Sequence, residues 1–584
     1  MRFSALSPLW LKNLSSLSVD ISLLPQVENT PHVARYTPQF WHFRALPVTF
    51  GNHLATGRGI FSQPMHLPLL KDSLVVSTRD MKTWLLFICL AILLPACDSG
   101  PSTAVSEIIP KTIGFGLAAS PITLDPRFAT DAVSSRINRL LYDRLVDFDE
   151  SFHPIPALAE WQRVTPLHYR FFLKEERRPF HNGAPLTARD VKATYDSILD
   201  ENTASAHRAM LTVIERIIVM DRDTIDFHLR TSDPLFPGRL ALGILPADSI
   251  ARGHPFNREP IGSGPMAFLD WPHEGKLRLR RLSDGVIIAF VRVPEATVRV
   301  LKLLRGEIDL IQNDLLPELV SWLSAREDIV VRTGRGINFS YIGFHLEDAV
   351  VGDLRLRKAV AHALDREAII RYVWGGTARV ANAVLIPDHW AGHPSLPSIP
   401  FDPVRARALL AQMGYTENHR PTLVYKTSSN PFRVRLATII QAQLQRVGID
   451  VDLRSHDWGT FYGDIKAGRF QMYSLAWVSI KMPDIFRYAF HSTSFPPAGA
   501  NRGRFAEPLA DRLIDEAQAT SSLTGQAKLY RELQEYVLAR LPYVPLWYED
   551  NILVMGSDIT GYTLTPDGNY DGLINVRRLS SPTF

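Results

Sequence analysis

From residue 111 onward, short apolar runs alternate with longer amphipathic ones. Residues 113–117 read as a strand. Residues 131–145 place Ile137, Leu140, Leu141 and Leu145 on one helical face. Residues 168–173 read as a strand that runs on to Phe180-His181-Asn182-Gly183, where Asn-Gly predicts a tight turn. Thr187, followed three residues later by Asp190, is close to a capping box and opens a helix over 188–199. Two strands follow, 217–220 and 224–229, around Asp221-Arg222-Asp223.

A second unit begins near Ser340. Residues 353–374 read as one long helix, with Leu356, Val360 and Leu364 spaced by four, ended by Gly375-Gly376. Residues 403–413 form another. A strand at 423–425, a helix at 434–446 and a strand at 449–453 compose a β-α-β unit. The alternation predicts α/β lobes. The length of 584 residues exceeds what one hydrophobic core holds, so two or more folded units are expected.

Composition narrows the function classes. Hydrophobic residues make up 46% and charged residues 21%, an ordinary globular balance. The net charge is +4 and the basic residues are dispersed, which argues against a nucleic-acid partner. The two cysteines, Cys89 and Cys97, lie together near the start, so neither a disulfide framework nor a Cys-based zinc site belongs to the folded body.

Met81-Lys82 precedes an uncharged apolar run over 84–94, then Leu94-Pro95-Ala96-Cys97 and Asp98. A basic start, a short apolar stretch and a small residue before a cut site are the parts of a secretory signal. The run is shorter than the ~20 apolar residues that span a bilayer. Its ending resembles a bacterial lipoprotein signal. That resemblance implies a signal peptide over 81–96, cleavage before Cys97, lipidation of Cys97 and a tether over 97–110. Asp98 then implies retention on the periplasmic side of the bacterial inner membrane. Residues 1–80 show no sustained period and read as a mis-assigned start ahead of Met81, or as a disordered extension.

Eight blocks in order resemble the family 5 extracellular solute-binding proteins, the oligopeptide and dipeptide receptors of ABC importers. They include Thr123-Leu124-Asp125-Pro126, the run from Ile137 to Leu145, and Pro156-Ala157-Leu158-Ala159-Glu160-Trp161. Farther on come the run from Phe180 to Val191, Ile261-Gly262-Ser263-Gly264-Pro265, Tyr341-Ile342-Gly343-Phe344, Ala363-Leu364-Asp365-Arg366, and the run from Leu541 to Tyr548. The resemblance implies an α/β, two-lobed periplasmic-binding-protein fold, of the class with an extra subdomain in lobe I and a hinge of crossing segments. Lobe I would cover 111–340 with the subdomain at about 150–260. Lobe II would cover 341–541, and 542–584 would return to lobe I. Tyr341 to Phe344 and Pro542 to Tyr548 would cross between lobes. It implies a monomer that binds a small solute, by family default a peptide, and hands it to permease and ATPase subunits. A sensory protein on the same fold is the alternative.

In peptide receptors of this family a segment reading roughly Trp-x-x-Asp offers its Asp to the peptide amine. Here Trp477 matches, but Ile480 or a gap falls at that Asp and Lys481 follows. Asp484 matches a later, structural Asp. A cleft with Lys481 suits a carboxylate or another anion better than an amine. Asn501 and Arg502, in a loop with glycines on either side, offer further donors. Asn338 and Phe339 are weaker ligand-binding candidates just ahead of the crossing segment, and His181 reads as structural.

No nucleophile-elbow, zincin or P-loop pattern occurs, and Gly262-Ser263-Gly264 is a turn containing a serine. Asp221 to Asp226 starts like a calcium loop but has Ile225 at a ligand position. The 18 histidines include no convincing metal set. The reading is therefore of a non-enzyme without a metal or cofactor.

Overall fold

A computed structural model describes residues 112–579. The signal-like segment, Cys97 and the tether lie outside the described residues. One mixed sheet runs through the molecule. At one end, Thr112–Leu117 pairs in parallel with Ile287–Arg292 and with Leu310–Gln312. Ile287–Arg292 continues antiparallel through Lys276–Arg281 to the edge strand Met266–His273. At the other end, Thr422–Ser428 lies parallel between Asp450–His456 and Met472–Trp477.

Two long central strands join the ends. Ile329–Phe344 pairs antiparallel with Tyr543–Gly556 along most of its length. Its last six residues also pair with Met472–Trp477, while Leu553, Val554 and Met555 pair with Leu310–Gln312. The ladder between the long strands shifts register between Gly334 and Asn338. Gly336 lies at this break, and a Cβ there would come within 2.0 Å of the Glu549 carbonyl oxygen.

Each end of the sheet has its own core. Phe115, Leu140, Phe290 and Leu553 are buried together at the first end. Leu356, Val360, Tyr425, Leu436 and Trp547 are buried together at the second, next to a cluster containing Tyr341, Phe486, Tyr530 and Tyr543. A separate four-stranded antiparallel sheet, Ala159–Thr165, His168–Leu173, Thr224–Leu229 and Ile214–Val219, packs on the helix Ala188–Leu199 around Phe171, Tyr195 and Phe227.

Local chemistry sets several of these boundaries. Asp190 accepts from the Thr187 backbone N–H at 2.8 Å, and the capping box opens Ala188–Leu199 at the expected residue. The expected helix over 131–145 is shorter, Ala132–Leu141. Asp131 caps its start. At its end Tyr142 is extended, and Gly264 N–H takes the Leu141 carbonyl at 2.8 Å. The glycine turn must approach this closely: a Cβ on Gly262 would lie 1.9 Å from the Leu141 oxygen. The expected single helix over 353–374 is two, Leu354–Ala363 and Arg366–Tyr372. The break is at Asp365, whose side chain caps the second helix by accepting from Ala368 N–H at 2.9 Å.

Candidate functional site

Between the two ends of the sheet lies a cavity of about 830 Å³. One wall is the helix Ala132–Leu141. Ala132, Ser135, Arg136 and Arg139 recur at helical spacing and turn one face toward the cavity. The opposite wall follows the end of Met472–Trp477 into Val478, Ser479, Ile480 and Lys481. Trp458 and Tyr462, one turn apart on Trp458–Lys466, stack with ring centroids at 5.3 Å. Tyr488 packs edge-on against Trp477 at 6.1 Å.

Arg502 is the most telling residue of this wall. It is 7% exposed. Its guanidinium donates to the hydroxyls of Tyr341 at 3.3 Å and Tyr462 at 3.2 Å. It stands 4.9 Å from the Trp477 ring and 5.5 Å from the Tyr462 ring. Among the described residues no carboxylate pairs with it. A buried guanidinium held only by neutral groups remains available to an anion.

The remaining candidates separate by position. Trp477, Lys481 and Arg502 line the cavity together. Lys481 is nevertheless already paired: its ammonium lies 2.5 Å from Asp567, with both side chains mostly buried. Burial works to raise the Asp567 carboxyl, but Lys481 wins and holds it at about 2. The sequence offers Lys481 as a cation suited to an anion; in the fold that charge lines the cavity while paired with Asp567 from behind the wall.

Asn338, Phe339 and Asn501 do not line the cavity. Asn338 accepts from Ser479 N–H at 3.2 Å, and the Ser479 hydroxyl donates to the Asp567 carbonyl at 2.8 Å. Ser479 has φ +54, an uncommon conformation that these two bonds hold in place. Asn338 thus shapes the wall without reaching the solute space. Phe339 is 1% exposed, stacked on Tyr341 and tilted against Tyr548. Asn501 is also 1% exposed. Its amide donates to the carbonyls of His491 and Phe505 and its oxygen accepts from Phe505 N–H, tying the loop that presents Arg502.

Arg136, Asn138, Trp458, Tyr462 and Tyr488 were not singled out from the sequence. The helical spacing of Ala132, Ser135, Arg136 and Arg139 was the available signal for the first wall. The aromatic residues carry no local signal, because only the fold brings them together.

One cluster lies elsewhere. His168, Asp226 and His228 converge on the outer face of the four-stranded sheet. Arg170 donates to both Asp226 oxygens at 2.7 and 2.8 Å, and the two imidazoles stack at 4.4 Å. The carboxylate is thus satisfied by a guanidinium.

The sequence that builds this sheet and cavity matches a family model. The description "Bacterial extracellular solute-binding proteins, family 5 Middle" matches residues 152–496, more than half of the chain. The chain belongs to this family. Heme-binding protein A of Haemophilus influenzae is 27% identical to this family 5 protein, over 85% of this chain and 99% of that one. Oligopeptide-binding protein AppA of Bacillus subtilis is 24% identical over 82% and 94%. Among solved structures, the ABC transporter substrate-binding protein CtaP of Listeria monocytogenes superposes with a TM-score of 0.72 at 23% identity, covering 81% of this chain and all of that one. AppA in complex with a nonapeptide gives 0.70 at 22% identity, over 81% and 100%. These family 5 structures share the two-lobed architecture.

Proposed function

We propose that the protein is the solute receptor of an ABC importer, capturing a small anionic solute, peptides with a free carboxylate included, between its lobes. The observation that carries this reading is Arg502, a buried cation with no carboxylate partner among the described residues, facing a cavity walled from both ends of the sheet. The volume of about 830 Å³ and the mixed aromatic and polar lining suit a small organic solute. Relatives named as ABC transporter peptide-binding proteins, from Brucella species, are 25% identical over 81% of this chain.

In this reading the lobes meet near 340 and 542, with the register break at Gly334/Asn338 as the hinge, and solute shifts the population toward the closed form. Permease and ATPase subunits are the partners of the closed monomer. Lipidation of Cys97 holds it to the periplasmic side of the inner membrane.

Isothermal titration of the purified protein against a dipeptide library tests the function. One-to-one binding, with a smaller radius of gyration by small-angle scattering, is expected. Binding without compaction would sink the receptor mechanism. Labelled palmitate should enter the wild type and not Cys97→Ala; label persisting in the variant would refute the anchor.

A further inference from the structure

The cavity wall is electrostatically one-sided. Among its described lining residues are five basic side chains, Arg136, Arg139, Arg144, Lys481 and Arg502, and one acidic one, Asp131. Asp131 is engaged at the helix start, accepting from Ser134 N–H at 2.9 Å. Three of the cations are neutralised from behind: Arg139 by Asp147 and Asp571, Arg144 by Asp147, and Lys481 by Asp567.

Two cations have no acidic partner among the described residues, and they stand on opposite walls. Arg502 belongs to the wall that carries Trp477. Arg136 projects from Ala132–Leu141, with its guanidinium 5.6 Å from the Tyr570 ring and its Nε buried without a hydrogen bond. Two residues along, Asn138 is 5% exposed, lines the same cavity, and leaves both amide atoms without a partner. Buried polar groups of this kind are normally satisfied, so an unpartnered carboxamide and an unpaired guanidinium lining one cavity mark positions suited to a polar ligand group.

Building on the receptor function proposed above, we infer that the solute is an amine-free or amine-masked anion carrying two acidic groups, or one acidic group shared between the walls. Arg502 takes one charge, Arg136 takes the other or the far side of the same one, and Asn138 reads an adjacent amide or carbonyl. Among the described lining residues Asp131 is the one carboxylate, with one oxygen spent on the helix start, and five cations outnumber it. A zwitterionic peptide is therefore the poorer ligand, and an N-blocked or dicarboxylic one the better. Because the two cations sit on opposite walls, the anion itself draws the walls together, and its differential interaction favours the closed form.

The test uses four compounds on one scaffold: Phe-Ala amide, Phe-Ala, N-acetyl-Phe-Ala and glutaryl-Phe-Ala, each titrated into the full-length protein with Trp fluorescence and calorimetry. Affinity is expected to rise along this series, at least tenfold from zwitterion to dianion. Arg136→Gln should flatten the last step. Arg502→Gln should weaken every carboxylate at least tenfold, and Arg502→Lys should recover part of that loss. Circular dichroism melts check that the variants fold. Phe-Ala amide binding as tightly as N-acetyl-Phe-Ala, or no member of the series binding, would overturn the charge assignment. The receptor reading fails separately, if ligands bind without compaction.

Discussion

Arg239 joins segments 245 positions apart: its Nη1 donates to Asp484 Oδ2 at 3.1 Å while its Nε donates to Asp233 at 2.6 Å. Arg239 sits beside the four-stranded sheet. Asp484 follows the cavity wall that ends at Lys481. In the proposed receptor this contact would form only where the two halves meet, and would favour the closed arrangement. Burial raises the Asp484 carboxyl above its ordinary range, opposed by Arg239. Asp484→Ala is expected to weaken solute affinity about tenfold, and an Arg239→Ala/Asp484→Ala cycle should give a coupling of about 1–2 kcal/mol. Strictly additive effects on affinity would show that the pair plays no part in closure.

His389 gives the protein a pH dependence. Its ring stacks on Phe152 at 5.4 Å, Nδ1 accepts from Ala391 N–H, and Nε2 faces the Lys481 carbonyl at 3.0 Å. An accepting Nδ1 and a donating Nε2 fix the neutral ring. Burial lowers it from 6.5 to about 4. The stability it carries is complete above about pH 6.5 and is lost as pH falls toward 4, because the unfolded chain then binds the extra proton. A shift of this size is worth about 3 kcal/mol. Denaturant titrations between pH 4 and 7 should show this slope in the wild type and a shallower one in His389→Gln. Equal slopes would remove His389 from the account.

Asn501 and Trp477 should fail in different ways. Asn501→Ala strips three hydrogen bonds from a buried loop and is expected to cost about 2–4 kcal/mol of folding stability. Trp477→Ala removes a cavity wall and the ring beside Arg502, and should lower affinity more than melting temperature. Melting curves and titrations on both variants decide the matter; the reverse pattern would exchange their roles.

Gly336→Ala probes the break in the central ladder. The added methyl meets the Glu549 carbonyl, which moves only if the facing strand moves. A loss of about 2–3 kcal/mol is expected in chemical denaturation. A neutral effect would mean that the strands already separate at this point.

Much of the architecture was legible because it is locally encoded. Thr187 and Asp190 announce a helix start that needs nothing beyond three residues. Gly262 and Gly264 mark a turn that no side chain would fit. The expected helix over 353–374 failed at Asp365, where a polar cap interrupts an apolar period that otherwise continues. Trp477 was visible as a match to the family segment and Arg502 through its loop chemistry. The pairing of Lys481 was not legible, because its partner, Asp567, lies 86 positions downstream and only the fold brings them together. Tyr462 and Tyr488 escaped for the same reason, while Arg136 was marked only by its helical spacing with Ala132, Ser135 and Arg139.

The central strands stay hydrogen-bonded to each other on both sides of the register slip. In the proposed receptor the hinge is therefore main chain, while the groups that would meet cargo are side chains on other elements. There, mechanics and recognition meet only through the bound solute. In that reading, exchanging Trp477, Arg502 or Arg136 would retune which solute closes the lobes and would leave the main-chain hinge itself as it is.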